Sequence, residues 1–209
     1  MDTPSADSFD FASLELLGGR LPLDFVNTVS RRVPAFEGEY LNSYDDLSNW
    51  SVHVGILTAA DAARLRAKAA QQPQEAQAIT ERAVALREAL HRLFSGSGMA
   101  DDLRTLNQAL ALALSKLKIE ADAGGYGWTW GGDPLALDRM LWVVARQAAD
   151  LLTSPELSRV RECPSPDGCG WMFLDTSKNR SRRWCSMETC GNAAKARRHY
   201  RRHRRDKHP

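Results

Sequence analysis

The sequence predicts a mainly α-helical protein, with a multihelical N-terminal domain that contains a small β-hairpin, followed by a small C-terminal domain organised around cysteines. Three observations support this prediction. Apolar residues recur three or four positions apart through most of the N-terminal three quarters, which is typical of amphipathic helices. One segment alternates apolar and polar residues on either side of two glycines. All four cysteines lie in the last quarter of the chain.

Helix starts are marked by two short motifs in the N-terminal half. Ser43 with Asp46, and Thr58 with Asp61, form capping-box patterns, in which a hydroxyl and a later carboxylate satisfy free amides at a helix start. Segment 75–94 then places its apolar residues on one face. We therefore predict three helices here and a fourth after the Ser-Gly-Ser-Gly break.

The hairpin is predicted at residues 116–130, because residues alternate on either side of Gly124 and Gly125. Asp133 followed by Pro134 is typical of a helix N-cap with proline at the first helical position. The helix that we expect to begin there carries apolar residues from Leu137 onward and should end near residues 153–156.

The charge of the chain changes sign near its C-terminus. Residues 1–175 carry 16 basic and 24 acidic side chains, a net −8, whereas residues 176–209 carry 12 and 2, a net +10. Together with a proline and the first cysteine, this change indicates two domains, residues 1–158 and 159–209. A basic segment on an acidic body indicates either a polyanionic partner or a merely solvated, frayed tail, and the cysteines just before it favour the partner.

Several classes of protein are disfavoured. The N-terminus lacks a basic region followed by an apolar one, and no apolar run is long enough to cross a membrane. We therefore expect a soluble, cytoplasmic protein with no membrane partner. The sequence contains no H-E-x-x-H, G-x-G-x-x-G, P-loop or G-x-S-x-G motif, so we do not expect an enzyme.

The four cysteines, Cys163, Cys169, Cys185 and Cys190, have the spacing C-x5-C-x15-C-x4-C. Two close pairs separated by a longer spacer are typical of a tetrahedral zinc site. The alternatives are disulfides, which the absence of an export signal disfavours, and unrelated buried cysteines. A Cys2His2 site using His199 and His203 would leave two cysteines without a role. Four thiolates leave zinc no open position, so one structural zinc per chain is predicted.

The sequence around the cysteines fits a treble-clef-like zinc finger. Residues 170–177 should form a strand that leaves the first pair, and residues 179–184 should turn and return beside it. Ser186 can cap a helix that begins at Met187, with Cys190 in its first turn. Gly191 should permit close approach of the backbone to the metal.

These residues resemble a known family. "GWMFLDTSKNRSRRWCSMETCGN" is similar to the CGNR zinc finger, and "GGRLPLDFVNT" resembles the start of the ABATE domain of stress-induced transcriptional regulators. The resemblance implies a four-cysteine zinc finger on the cysteines above, together with DNA binding. The chain departs from the motif at Ala193, where the family name has arginine. Any contact of that arginine is therefore missing, or is made by Lys195 or Arg197.

The predicted C-terminal helix carries two neighbouring basic stripes, one through Arg197 and one through Arg198. Arginine suits phosphates and guanine edges, so we expect binding to nucleic acid, most simply double-stranded DNA. The arginines before Cys185 either extend this surface or bind Asp175 structurally. The candidate contacts are Arg180, Arg182, Arg183, Lys195, Arg197, Arg198, Arg201, Arg202, Arg204 and Arg205. Ala193, Ala196 and Tyr200 should pack the helix onto the finger.

The leading interpretation is a zinc-dependent transcriptional regulator with a sensing or oligomerising N-terminal domain, which could form a homodimer. The alternatives are an RNA- or ribosome-associated zinc protein and a zinc protein-interaction module. In the N-terminal domain, Asp24, Asn27 and Thr28 are polar residues among apolar neighbours. They are candidates for a pocket that binds a small-molecule effector, although buried structural hydrogen bonds are the favoured reading.

Overall fold

The computed structural model describes residues 9–32, 37–122, 124–165 and 167–206, with side chains up to Tyr200 in the last range. Helices dominate this part of the chain, as predicted. The described α-helices are Leu21–Val26 (α1), Tyr44–His53 (α2), Ala59–Gln71 (α3), Pro73–Ser95 (α4), Ala100–Lys116 (α5), Arg139–Leu152 (α6) and Asn192–Asp206 (α7). Short 3-10 helices span Phe11–Ser13 and Pro155–Arg159, and one wide helical turn at Met187–Gly191 leads directly into α7.

The described strands form three separate antiparallel pairs. They are Val29–Arg31 (β1) with Glu37–Glu39 (β2), Leu117–Asp122 (β3) with Gly125–Trp130 (β4), and Val160–Glu162 (β5) with Met172–Leu174 (β6). The β3–β4 hairpin lies where the sequence predicts it. Its register places Leu117 opposite Trp130 and Asp122 opposite Gly125.

The two capping motifs are confirmed as the starts of α2 and α3. The Ser43 hydroxyl accepts a hydrogen bond from the Asp46 amide at 3.1 Å and donates one to the Asp46 carboxylate at 2.8 Å. Thr58 accepts the Asp61 amide at 3.1 Å in the same way. Each cap satisfies amides that the helix itself leaves free, so these boundaries are set locally.

The prediction that a helix begins at Pro134 is wrong, because α6 begins at Arg139. The Asp133 carboxylate accepts the Leu135 amide at 2.8 Å, and the Ala136 amide binds the Asp133 carbonyl, which closes a turn. Lys68 of α3 also binds the Asp133 carboxylate at 3.0 Å. These bonds fix the segment as a turn and delay the helix by five residues.

One hydrophobic core joins the helical elements. Phe25 of α1, Trp50 of α2 and Met140 of α6 are fully buried in it. The same core includes Met172 and Leu174 of β6, which are also buried. Burial of each such side chain contributes about 1.5–3 kcal/mol. The strand beside the cysteine cluster is therefore part of the main core.

Candidate metal centre and basic surface

The four cysteine sulfurs converge at one point. All lie within 4.8 Å of one another, and Cys185 lies 3.6 Å from both Cys169 and Cys190. Cys163 and Cys185 are buried, whereas Cys169 and Cys190 are half-buried. A disulfide bond is about 2.05 Å long, so these sulfurs are not bonded to one another. Among the described residues, only these four cysteines are grouped closely enough to bind one metal ion together.

The first pair lies in the tight connection between β5 and β6. The Cys163 amide donates to the Trp171 carbonyl at 2.8 Å, and the Gly170 amide donates to the Cys163 carbonyl at 3.3 Å. Gly170 has a φ of +65°, and a Cβ atom there would lie 2.7 Å from the Cβ of Arg32. Glycine at this position therefore allows the cysteine loop to approach the residue that follows β1 closely.

The second pair is placed by the start of the C-terminal helix. Ser186 is the N-cap residue, as predicted, and accepts the Thr189 amide at 3.4 Å. Cys190 lies in the first turn after this cap. Gly191 does allow a close approach, because an added Cβ there would meet Met187 at 2.9 Å and Trp184 at 3.3 Å. The close approach is made to these side chains.

The predicted return strand at residues 179–184 is not formed. β6 pairs instead with β5, which precedes it in the chain. The buried Asp175 carboxylate accepts the Ser177 hydroxyl at 2.6 Å and the Arg182 amide at 3.2 Å, which folds the segment into a loop. Hydrogen bonds from the Ser177 hydroxyl and from the backbone amides of Ser177 and Arg182 hold the pKa of Asp175 below its usual value. The loop thus takes the place of the expected strand.

Arg182 points into the protein from this loop. Its guanidinium donates to the carbonyls of Trp184 at 3.1 Å and Leu174 at 3.4 Å, and also to that of Cys185. It also lies 4.5 Å from the centre of the Phe173 ring. These contacts position the backbone that carries Cys185.

The sulfur geometry fits a tetrahedral zinc ion. Zinc–sulfur bonds of about 2.3 Å at tetrahedral angles require sulfurs about 3.8 Å apart, close to the separations found. When only the four thiols are considered, hydrogen bonds from Cys169 and Cys185 lower the pKa of Cys163 to about 2. The hydrogen bond to Cys163 raises the pKa of Cys169 to about 12, and hydrogen bonds to Cys163 and Cys169 raise that of Cys185, so the thiols do not all lose their protons together. A dication removes this conflict.

The described basic side chains divide into exposed and internally bonded groups. Arg180, Arg183, Lys195 and Arg198 are exposed, and Arg183 lies 5.4 Å from the centre of the Trp184 ring. Arg197 forms an ion pair with Asp167 in the loop between the first two cysteines. The side chains of the remaining candidates lie outside the described residues: Arg201, Arg202, Arg204 and Arg205.

The expected packing of α7 onto the finger is only partly found. Ala193 is half-buried and lines a cavity of about 450 Å³ beside Cys169 and Cys190. Ala196 is exposed, and Tyr200 is 72% exposed, so the prediction that both pack inward is wrong. The helix is attached through its first turns, and its side chains from Lys195 to Tyr200 are exposed.

Comparison with known families agrees with this architecture. Residues 19–155, more than half of the chain, match the model of the ABATE family, described as "Putative stress-induced transcription regulator". The chain belongs to the ABATE family. Residues 159–203 match the model of the CGNR zinc finger, so the cysteine cluster is a CGNR finger with one structural zinc. No curated protein matches the chain. Neither family model describes an enzyme.

Asn27 of the ABATE domain binds the CGNR finger directly. Its side-chain amide donates to the Met172 carbonyl at 2.8 Å, and its oxygen accepts the Met172 amide at 2.7 Å. Nearby, the Trp171 indole donates to the Val29 carbonyl at 2.7 Å, and the Leu174 amide donates to the Gly18 carbonyl at 2.8 Å. The ABATE segment thus acts as a further partner for β6.

The other two candidate pocket residues are also hydrogen-bonded inside the ABATE domain. The buried Asp24 carboxylate accepts the Gly18 amide at 2.8 Å, and burial raises the pKa of Asp24 to about 6. The Thr28 hydroxyl donates to the Phe25 carbonyl at 2.8 Å. Gly18 also binds β6, so Asp24 acts through it on the position of the finger.

Sequence reasoning missed a buried ionic network beside these residues. Arg87 is 1% exposed and binds Glu39 of β2 and Glu88 of α4. Arg32 also binds Glu88, at 2.8 Å, and its backbone amide faces the carbonyl of Cys169 at 3.2 Å. Burial by itself would raise the pKa of Glu39, but Arg87 outweighs it and lowers that pKa. The sequence feature that could have revealed this network is Arg87, an arginine on the apolar face of α4.

No helix among the described residues is long and apolar enough to span a membrane.

Proposed function

We propose that this ABATE protein is a cytoplasmic transcription regulator that binds double-stranded DNA through its CGNR finger. One observation carries the proposal: the cysteine cluster includes the first turn of the helix from which the exposed basic side chains project. Zinc bound to all four sulfurs would hold this start rigidly. The basic surface would then meet a polyanion as an ordered unit.

The charge distribution supports a phosphate partner. The exposed side chains of Lys195 and Arg198 are three residues apart, on one side of α7. Helical continuation places Arg202 and Arg205 on the same stripe, and Arg180 and Arg183 lie on the loop before Cys185. Arg182 and Arg197 have contacts within the finger, so we assign them to its structure. The remaining candidates, Arg201 and Arg204, extend the neighbouring stripe.

The test is binding of the zinc-loaded protein to duplex DNA, followed by fluorescence anisotropy between 50 and 200 mM salt. If about six phosphates are contacted, affinity should fall on the order of 1,000-fold over this range. The double variant Lys195→Ala/Arg198→Ala should bind more weakly and lower the salt slope by about two. Arg64→Ala/Arg104→Ala removes the same charge from exposed sites on the ABATE domain and should bind like the wild type.

The outcomes separate the proposal from its alternatives. A flat salt response, or equal effects of the two double variants, would contradict binding through α7. Competition with structured RNA distinguishes a duplex-DNA protein from an RNA- or ribosome-associated one. A finger that binds neither polymer but still binds an acidic protein surface would be an interaction module.

For the ABATE domain we propose a sensing role with a small-molecule effector. A cavity of about 1010 Å³ lies between the starts of α2 and α4 and the end of α3, and its lining includes Tyr44, Ala69 and Val84. This size and mixed lining suit a small organic ligand. An effector bound there should raise the unfolding temperature of the wild type more than that of Ala69→Trp, whose ring would occupy part of the cavity. Equal stabilisation of both would place the effector elsewhere. For Asp24, Asn27 and Thr28 we propose a structural role instead.

A further inference from the structure

The β3–β4 hairpin has an apolar face that the body covers at its base and, through Arg146 of α6, 5.5 Å from the centre of the Trp128 ring, in part at Trp128. Leu117 and Trp130 occupy the base, where the Trp130 ring lies 6.0 Å from that of Trp142 on α6. Beyond this point Ile119 is 58% exposed, Trp128 62% and Tyr126 84%. The cross-strand pairs Ile119–Trp128 and Ala121–Tyr126 place all these side chains on the same face. Two-stranded hairpins are marginally stable alone, so this face is suited to a partner.

The outer edge of β3 offers backbone groups for pairing. The Gly131 amide donates to the Lys116 carbonyl at 2.6 Å, which identifies a hydrogen-bonded pair at the base. Such pairs alternate along an antiparallel ladder, so Lys118, Glu120 and Asp122 direct their backbone groups toward β4. The N–H and C=O groups of Ile119 and Ala121 therefore point away from β4, toward the open edge.

The charged residues along this edge are complementary to the same residues in a second copy of the chain. Residues 116–122 read Lys-Leu-Lys-Ile-Glu-Ala-Asp, with two positive side chains on one side of Ile119 and two negative ones on the other. In an antiparallel pairing of two identical strands centred on Ile119, Lys118 lies opposite Glu120 and Lys116 opposite Asp122 of the other copy. A parallel pairing in register would place like charges opposite each other, and an antiparallel pairing shifted by two residues would place Lys118 or Glu120 opposite itself.

We propose that the protein forms a twofold-symmetric homodimer in which β3 of one copy pairs with β3 of a second copy, centred on Ile119. The outward N–H and C=O groups of Ile119 pair with those of Ile119 in the second copy, and the Ala121 N–H donates to the Leu117 carbonyl of that copy, because the Leu117 N–H already binds the Leu114 carbonyl. The two hairpins become one four-stranded sheet. The twofold axis is perpendicular to this sheet, so both apolar faces lie on the same side and the two Ile119 side chains meet.

The exposed apolar side chains all lie on one side of this dimer. A tyrosine and a tryptophan each present about 150–250 Å² when fully exposed, so the three exposed apolar side chains offer a patch of roughly 400–500 Å² per copy. Edge pairing joins the two patches into one surface and brings the two Ile119 side chains into contact, whereas Trp128 and Tyr126 lie on the outer strands. Lys116, Lys118, Glu120 and Asp122 lie on the opposite face of the sheet, where their charges pair between the copies.

The test is charge reversal with the full-length zinc-loaded protein, without nucleic acid, so that it is independent of the proposed DNA binding. Lys116→Glu/Lys118→Glu and Glu120→Lys/Asp122→Lys each create like-charge pairs across the twofold axis. Sedimentation should show wild-type dimers at about 50 µM, and a Kd for each variant that is weaker on the order of 100-fold. An equimolar mixture of the two variants should restore the dimer, because opposite charges then face each other.

Arg64→Glu/Arg104→Glu is the matched control, since it changes the net charge of exposed ABATE sites by the same amount as the lysine variant, away from the hairpin. It should dimerise like the wild type. A monomeric wild type at this concentration would overturn the proposal and leave the apolar face to a different protein. Variants that remain dimeric, or a mixture that stays monomeric although each variant retains zinc and helix content, would overturn the β3–β3 pairing.

Discussion

Individual polar residues in the core of this protein act as connectors between distant segments. The Asn27 side chain makes the hydrogen bonds to the Met172 backbone that a neighbouring strand would otherwise make, although Met172 lies 145 positions later in the chain. Each such buried hydrogen bond contributes about 0.5–1.5 kcal/mol, and an unpaired buried group costs more. Asp24 supports the same junction through Gly18, although burial disfavours its charge. These polar residues thus form the buried structural hydrogen bonds that the sequence analysis favours over a ligand pocket.

Asp24→Asn should stabilise the protein above pH 6. The native pKa is raised to about 6, whereas an unfolded aspartate has a pKa of about 3.9, so the wild type loses stability as pH rises through this window. Asparagine keeps an oxygen for the Gly18 amide and carries no charge. The gain in unfolding free energy should be small at pH 4 and reach up to about 3 kcal/mol at pH 7.5.

Urea unfolding at several pH values measures this difference. Asp45→Asn, at an exposed position of α2, is the control and should show little change between pH 6 and 7.5. Destabilisation by Asp24→Asn at pH 7.5 would show that the carboxylate charge is required at this site.

At the scale of elements, the helix starts are decided by side chains within the same few residues. Ser43, Thr58 and Ser186 each cap the helix that follows them. α7 differs from the other helices because its first turn also carries a cysteine of the cluster and its later residues are exposed. Its attachment therefore depends on the metal more than on burial of an apolar face.

Cys163→Ser and Cys190→Ser should each remove zinc. Purified reduced wild type should contain about one zinc per chain by metal analysis, and each variant should contain much less, because three thiolates and a hydroxyl bind zinc far more weakly. The exposed neighbour substitution Thr189→Ser is the control and should retain the metal. Full zinc content in either cysteine variant would show that its sulfur is not a ligand.

At the scale of the whole molecule, the two families meet in one core. Met172 and Leu174 of the CGNR finger are buried with the ABATE helices, and Trp171 donates to the Val29 carbonyl. Arg32 links the first cysteine loop to the ionic network on α4. The zinc ion therefore stabilises the finger and, through β6, the ABATE domain.

Removal of zinc by a strong chelator should lower the unfolding temperature of the entire chain. Differential scanning calorimetry should show one transition that moves by several degrees, because loss of the finger exposes core residues of β6. Asn27→Ala should weaken this coupling and make the ABATE transition less sensitive to chelation. The shared core is contradicted if wild-type chelation removes a separate low-temperature transition and leaves the main one in place.

Short stretches of the sequence are enough to predict α2 to α5, the start of the C-terminal helical segment, the β3–β4 hairpin and the zinc centre. Caps, turn glycines and cysteine spacing act within short stretches of chain, so their effects can be read locally. The self-complementary charges around Ile119 are also visible in the sequence. They can pair with a second copy only because the fold leaves the outer edge of β3 open.

The tertiary structure alone decided the partner of β6, the inward direction of Arg182 and the connection between Asn27 and Met172. The start of α6 was likewise decided partly by Lys68, a residue of a different helix. These outcomes depend on contacts between segments far apart in the chain. Such contacts form when apolar surfaces pack and buried polar groups must find partners, a requirement that no short pattern of residues records.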